Sequence, residues 1–197
     1  EFARFVDAGG YARREYWDAH AWSWRRRAGA EHPLFWQHRD GVWCERQFDR
    51  IEPLRPWHPV CHLNWHEARA YCRFAGRRLP TEAEWEMAAS FDPVSGDKRM
   101  FPWGDALPGH EYANLDGRCG GTVDVRAFAA GDSPAGCRQM IGNVWEWTES
   151  LLEPYPGFEV DPYAEYSVPY FGKKPVLRGG CWTTRARLIR NTWRNFF

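Results

Sequence analysis

Several features are missing from these 197 residues, and each absence narrows the reading. No apolar run approaches the length needed to span a bilayer. The six cysteines, Cys44, Cys61, Cys72, Cys119, Cys137 and Cys181, form no CxxC pair and no zinc-finger spacing. A disulfide framework belongs to a denser, shorter secreted chain, so the cysteines are expected to be reduced, half-buried small hydrophobes. Net charge is absent too. Lys+Arg and Asp+Glu number 26 each, which removes the simplest arguments for nucleic acid or an anionic membrane as partner. With no secretory leader, the expected location is cytoplasmic. The chain has no initiator Met; it opens inside a helical pattern, Glu1-Phe2-Ala3-Arg4-Phe5-Val6, and stops at Asn195-Phe196-Phe197. The expectation is one domain over 1–197, cut from a longer protein.

What the chain does have is aromatic side chains. They make up 17% of it, with 13 tryptophans, although the mean hydropathy is −0.67. Indoles in a polar chain point to loops folded over an aromatic centre. The central stretch is Gly136–Thr148, GCRQMIGNVWEWT. Trp145 and Trp147 are two apart, so in an extended backbone they share one face and Val144 and Glu146 the other. Gly142 suits a positive φ or a close backbone approach. Asn143 and Glu146 bring oxygens that either cross-link loops or hold a structural cation such as Ca²⁺.

In chain order, Phe2, Phe5 and Val6 predict a helix ended by Gly9-Gly10. Residues 16–48 read as a meander of turns and strands. Within it Arg25-Arg26-Arg27 is a solvated basic turn or an anion site. Two helices stand out. Asn64 with Glu67 makes a capping box, and Gly76 ends the helix that follows; Thr81 with Glu84 makes a second box. Residues 91–132 and 154–172 read as long loops, Val176-Leu177-Arg178 as a strand, and Arg190–Arg194 as the next. The fold class expected is irregular α+β, with two main helices, short strands and long ordered loops. Loops this long in a compact domain usually carry function.

Each candidate for chemistry has a plain alternative. His62 and His66 stand four apart, but His62 precedes the helix cap, which makes a helical metal pair doubtful. The other histidines show no ligand spacing. Tyr163 and Tyr166, with Tyr155 and Tyr170 near, are core aromatics or proton donors over a site. Arg178, Arg190 and Arg194 either pair with carboxylates under the loops or grip a substrate carboxylate.

Taken together, Asn64-Trp65-His66-Glu67-Ala68, Gly76-Arg77-Arg78-Leu79-Pro80-Thr81-Glu82-Ala83-Glu84-Trp85-Glu86, Pro102-Trp103-Gly104-Asp105, Gly142-Asn143-Val144-Trp145-Glu146-Trp147 and Arg178-Gly179-Gly180 resemble the formylglycine-generating-enzyme (sulfatase-modifying factor) domain family. The motifs run in the family order over almost the whole chain. The resemblance implies a C-type-lectin-like fold. In the formylglycine-generating branch two cysteines after Arg-Gly-Gly bind copper; Thr184 and Ile189 stand at the corresponding positions here, which argues against that activity.

A finer resemblance is to the iron-dependent sulfoxide synthases of ergothioneine biosynthesis and to selenoneine synthase. It is carried by Gly9-Gly10-Tyr11, Gly136–Asn143, Pro156-Gly157-Phe158, Tyr163–Ser167 and Arg194-Asn195-Phe196. It implies Fe(II) held by three histidines of an amino-terminal helical-bundle domain of the same protein, with O₂, hercynine and a thiol or selenosugar donor as substrates. By that resemblance Tyr163 is the catalytic proton or hydrogen donor. Tyr166 and Asn195 contact hercynine, Arg194 is counted with them among the substrate-binding residues, and Phe196 lies near its trimethylammonium group. Phe197 stands where the γ-glutamylcysteine-using branch has Asp, which favours a less charged donor. No iron ligands are expected within this chain. The competing readings are a lectin-like binding module without catalysis and, behind it, a formylglycine-generating oxidase.

Overall fold

A computed structural model describes all of residues 1–197. The chain folds into two compact units, Glu1–Leu79 and Pro80–Phe197. Both mix helices with a small antiparallel sheet, and the fold class is the expected irregular α+β.

The first unit holds α1 (Phe2–Asp7), α2 (Ala19–Ala28), the meander β1 (Trp36–Arg39), β2 (Val42–Gln47) and β3 (Arg50–Pro53), then α3 (Trp65–Phe74). Helix α2 lies where the sequence suggested turns and strands. Asp18 caps it by accepting from Ala21 N–H at 2.8 Å, and Gly29, at φ 60°, ends it. Its two tryptophans flank Ser23 and run straight into three arginines, and only Ala21 is fully buried, so no apolar stripe announces it. Arg25, Arg26 and Arg27 fall in its last turn, where cations complement the helix dipole. Helix α3 starts on the expected box: Glu67 N–H donates to Asn64 Oδ1 at 3.0 Å, and Asn64 N–H to Glu67 Oε2 at 2.8 Å. Gly76 ends it as expected, with Arg77 N–H reaching back to the Cys72 carbonyl.

Phe2, Phe5, Tyr11, Trp17, Ala21, Trp36 and Ala70 form this unit's core. The Gly9-Gly10-Tyr11 motif is part of it, because a Cβ on Gly10 would overlap the Phe5 ring. Trp17 Nε1 donates to the Gly10 carbonyl at 2.9 Å, and the Tyr11 hydroxyl donates to Glu67 Oε1 at 2.7 Å. Burial pushes the Glu67 carboxyl up, opposed by the bonds from Asn64 and Tyr11. The histidine pair does not converge: His62 packs on Phe35, while His66 lies against His20, with ring centroids 5.1 Å apart.

The second unit holds α4 (Glu82–Ser90), long loops, and the antiparallel sheet β4 (Glu146–Leu151), β5 (Pro175–Arg178) and β6 (Arg194–Phe196), in that order. Thr81 and Glu84 close the second capping box at 3.2 and 2.8 Å. The strand expected over Arg190–Arg194 begins only at Arg194. Residues 190–193 turn instead, because buried Asn191 donates to the Ala89 and Arg99 carbonyls. Apolar packing comes from Phe101, Ala113, Leu115, Ile141 and Ile189, and separately from Trp85, Ala89 and Met140. All six cysteines are free thiols.

Candidate functional site

The Gly-Asn-Val-Trp-Glu-Trp and Arg-Gly-Gly motifs meet backbone to backbone. Gly142 N–H donates to the Gly179 carbonyl at 2.8 Å, and Trp182 N–H to the Asn143 carbonyl at 3.0 Å. A Cβ on Gly142 would come within 2.6 Å of the Asn114 carbonyl oxygen, and one on Gly179 within 2.6 Å of that of Met140. Only glycine fits either place. Asn143 Oδ1 accepts from Val123 N–H at 2.9 Å and Asn114 Nδ2 at 3.2 Å; its Nδ2 donates to Gln139 Oε1 and the Val123 carbonyl. With both lone pairs and both protons engaged, the amide does the loop cross-linking that the sequence left as one of two options.

Glu146 accepts from Trp85 Nε1 at 2.6 Å, and burial pushes its carboxyl up to about 7 despite that bond. In the folded chain it therefore keeps a proton that the unfolded chain, with a value of 4.5, has released. Stability consequently falls as pH rises from about 4.5 to about 7, by roughly 3 kcal/mol as an upper figure. Glu146→Gln keeps the acceptor for Trp85 and is expected to flatten that part of the curve. Urea denaturation of both proteins between pH 4.5 and 8 checks it; parallel curves would remove Glu146 as the cause.

A salt-bridge network fixes the sheet to α4. Arg178 is wholly buried; it donates to Glu82 Oε1 at 2.7 Å, to Glu86 Oε2 at 2.8 Å and to the Asn191 carbonyl. Burial alone would raise the Glu86 carboxyl, but Lys98 and Arg178 hold it below the usual range. Arg194 takes both oxygens of Glu82, at 2.7 and 2.8 Å.

The residues read as substrate-facing lie on the 153–171 loop and on β6. Turns of 3₁₀ type at Ala164–Tyr166 and Val168–Tyr170 shape the loop, and Asp161 Oδ1 accepts from Tyr163 N–H at 2.9 Å. Tyr163 and Tyr166 are 64% and 67% exposed, with stacked rings 6.2 Å apart. Tyr166 meets Phe196 edge-on at 6.3 Å, and Tyr170 lies 4.9 Å from the same ring. Tyr163, Tyr166 and Phe196 are thus brought together, and Tyr170, which the sequence placed only nearby, joins them. Asn195 alternates to the other face of β6 from Phe196, and its Oδ1 accepts from Phe196 N–H at 2.9 Å. Phe197 is 81% exposed. Arg194 turns its donors to Glu82 and the Glu153 carbonyl, partners that no local pattern foretold.

Such a surface, open aromatic rings with negative π-faces, is chemically suited to an organic cation. No three His, Cys, Asp or Glu side chains come together in a way that could hold a metal ion. Thr184 and Ile189 are both buried, and Thr184 Oγ1 accepts from Cys181 N–H at 3.0 Å, so no pair of thiols stands at those positions.

The chain belongs to the sulfatase-modifying factor enzyme 1-like domain family, whose description matches residues 1–197. It is 43% identical to hercynine oxygenase of Mycobacterium tuberculosis, over all of this chain and 46% of that protein. It is 36% identical to formylglycine-generating enzyme of Bos taurus, over 74% of this chain and 39% of the relative. Among solved structures it is similar to PvdO from Pseudomonas aeruginosa, with a TM-score of 0.57 at 21% identity, covering 89% of this chain and 69% of that one; this likeness concerns the fold alone. The chain spans less than half the length of these curated relatives. No helix is long and apolar enough to cross a membrane.

Proposed function

We propose that this chain is the substrate-binding part of an O₂-dependent, nonheme-iron enzyme that forms a C–S or C–Se bond at imidazole C2 of hercynine. The observation that carries the reading is the open cluster of Tyr163, Tyr166, Tyr170 and Phe196, in a chain 43% identical to a hercynine oxygenase. The trimethylammonium group of hercynine sits over these rings, an attraction of about 0.5–2 kcal/mol. Tyr166 orients the substrate, and the Tyr163 hydroxyl delivers a proton at the reacting centre, while Asn195, on the other face of β6 from Phe196, is left out of this cluster. The side chains present do not form an iron site. Fe(II) is accordingly assigned to histidines outside this chain, in the longer protein, which is cytoplasmic. Phe197 offers no charged partner, and supports a less charged donor, cysteine or a selenosugar, over γ-glutamylcysteine with its additional carboxylate.

The test is an anaerobically reconstituted, full-length Fe(II) assay with hercynine and O₂, offering γ-glutamylcysteine, cysteine and a selenosugar in parallel. Products are identified by mass spectrometry. A preferred selenium adduct would assign selenoneine synthesis, and a sulfoxide would assign ergothioneine synthesis. No adduct from any donor would sink the reading in favour of a binding module.

A further inference from the structure

Arg194 opens β6, immediately before Asn195 and Phe196, yet its guanidinium is spent inside the chain. Nε and Nη2 donate to the two oxygens of Glu82 at 2.7 and 2.8 Å, a fork-on-fork pair, and Nη1 donates to the Glu153 carbonyl at 2.9 Å. The same group lies over the Tyr155 ring, 4.4 Å from its centroid. Glu82 is the first residue of α4, and its Oε1 also takes buried Arg178. One side chain therefore ties a helix, an edge strand and the entry of the 153–171 loop. Backbone bonds from Leu152 N–H to the Lys174 carbonyl and from Gly172 N–H to the Leu152 carbonyl close that loop at its neck. Beyond the neck, Glu153 and Tyr155 meet Arg194, and Tyr166 and Tyr170 meet Phe196.

We infer that Arg194 is a positioning residue, a brace that holds the tyrosine loop against β6 so that Tyr163, Tyr166 and Phe196 present one surface. It acts through Glu82, Glu153 and Tyr155 without touching substrate. This rests on the function proposed above insofar as the braced surface is the hercynine site. Without the brace the loop stays closed at its neck but loses its fixed angle to Phe196. The cost then falls on binding ahead of chemistry.

The variant for the test is Arg194→Met in the full-length protein, with Arg194→Lys as the conservative partner. Glu82 keeps Arg178 in both, so no carboxylate is left unpaired. Amide hydrogen exchange is expected to speed up about tenfold in peptides covering 153–171 and to stay unchanged across α4 and β5. The dissociation constant for hercynine should rise about tenfold, while kcat at saturation stays within about twofold. Arg194→Lys should fall between the two. Unchanged exchange in the loop overturns the inference, as does a rise spread over α4 and β5, which marks general loosening. Weaker hercynine binding with unchanged loop exchange would make Arg194 a direct substrate contact. Wild-type protein that binds no hercynine defeats the functional reading, while the exchange comparison still decides the brace.

Discussion

Tyr163→Phe in the full-length protein is expected to slow C–S or C–Se bond formation by about 10²- to 10⁴-fold, with the hercynine dissociation constant within about twofold of wild type. The substitution removes one oxygen and its proton and keeps the ring. Stacking against Tyr166, at 6.2 Å, therefore persists, and with it the aromatic surface that a trimethylammonium group would occupy. Tyr163 precedes a single turn of 3₁₀ helix, and its backbone is fixed by the Asp161 side chain, so the residue is placed without help from its hydroxyl. Single-turnover measurement of product, beside calorimetric titration of hercynine, separates the two quantities. An unchanged rate of bond formation would remove Tyr163 as proton donor. An equal loss in both would make it a binding residue only.

Arg178→Ala is expected to be the most damaging substitution to stability, at about 3–5 kcal/mol. Taking a guanidinium wholly out of water is costly, and the charge is tolerated because two carboxylates and a backbone carbonyl meet it. Removing it leaves the two largely buried acids under-compensated, Glu82 with Arg194 alone and Glu86 with only the mostly exposed Lys98. What is lost is the joint between α4 and β5, together with the contact of the guanidinium with the Trp85 ring, 5.1 Å from its centroid. For a chain of this size the melting temperature should drop by roughly 6–20 °C. A fall of only a degree or two would show that the network contributes little beyond cancelling its own desolvation.

The parts of this molecule that were legible in the sequence are those whose chemistry is local. Asn64 with Glu67 and Thr81 with Glu84 make their bonds within three residues, so both helix starts could be read directly. Gly142 and Gly179 could be identified as special, but not as touching one another. Helix α2 was hidden because its tryptophans pack on loops, as Trp24 does on Trp17, and trace no stripe along one helical face. The arginine–glutamate network was hidden for another reason. Glu82 and Arg194 lie 112 residues apart, and nothing in a linear pattern distinguishes a cation that finds such a partner from one left for a ligand. The clustering of aromatic rings was half legible: Tyr163, Tyr166 and Phe196 were named through resemblance, whereas the place of Tyr170 among them follows from the turn at Val168–Tyr170.

The meeting of Gly142 with Asn114 and Gly179 also governs how the second unit assembles. Its contacts join segments far apart in the chain, so the intervening loops must close before any of these bonds can form, and closure entropy is lost before contacts repay it. Helix α4 can form early from local interactions, whereas Asn143 can bind Val123, Asn114 and Gln139 only once three segments have arrived. That junction should form after the rate-limiting step. Its conservative variants, Asn143→Asp among them, are expected to speed unfolding while leaving the refolding rate nearly unchanged.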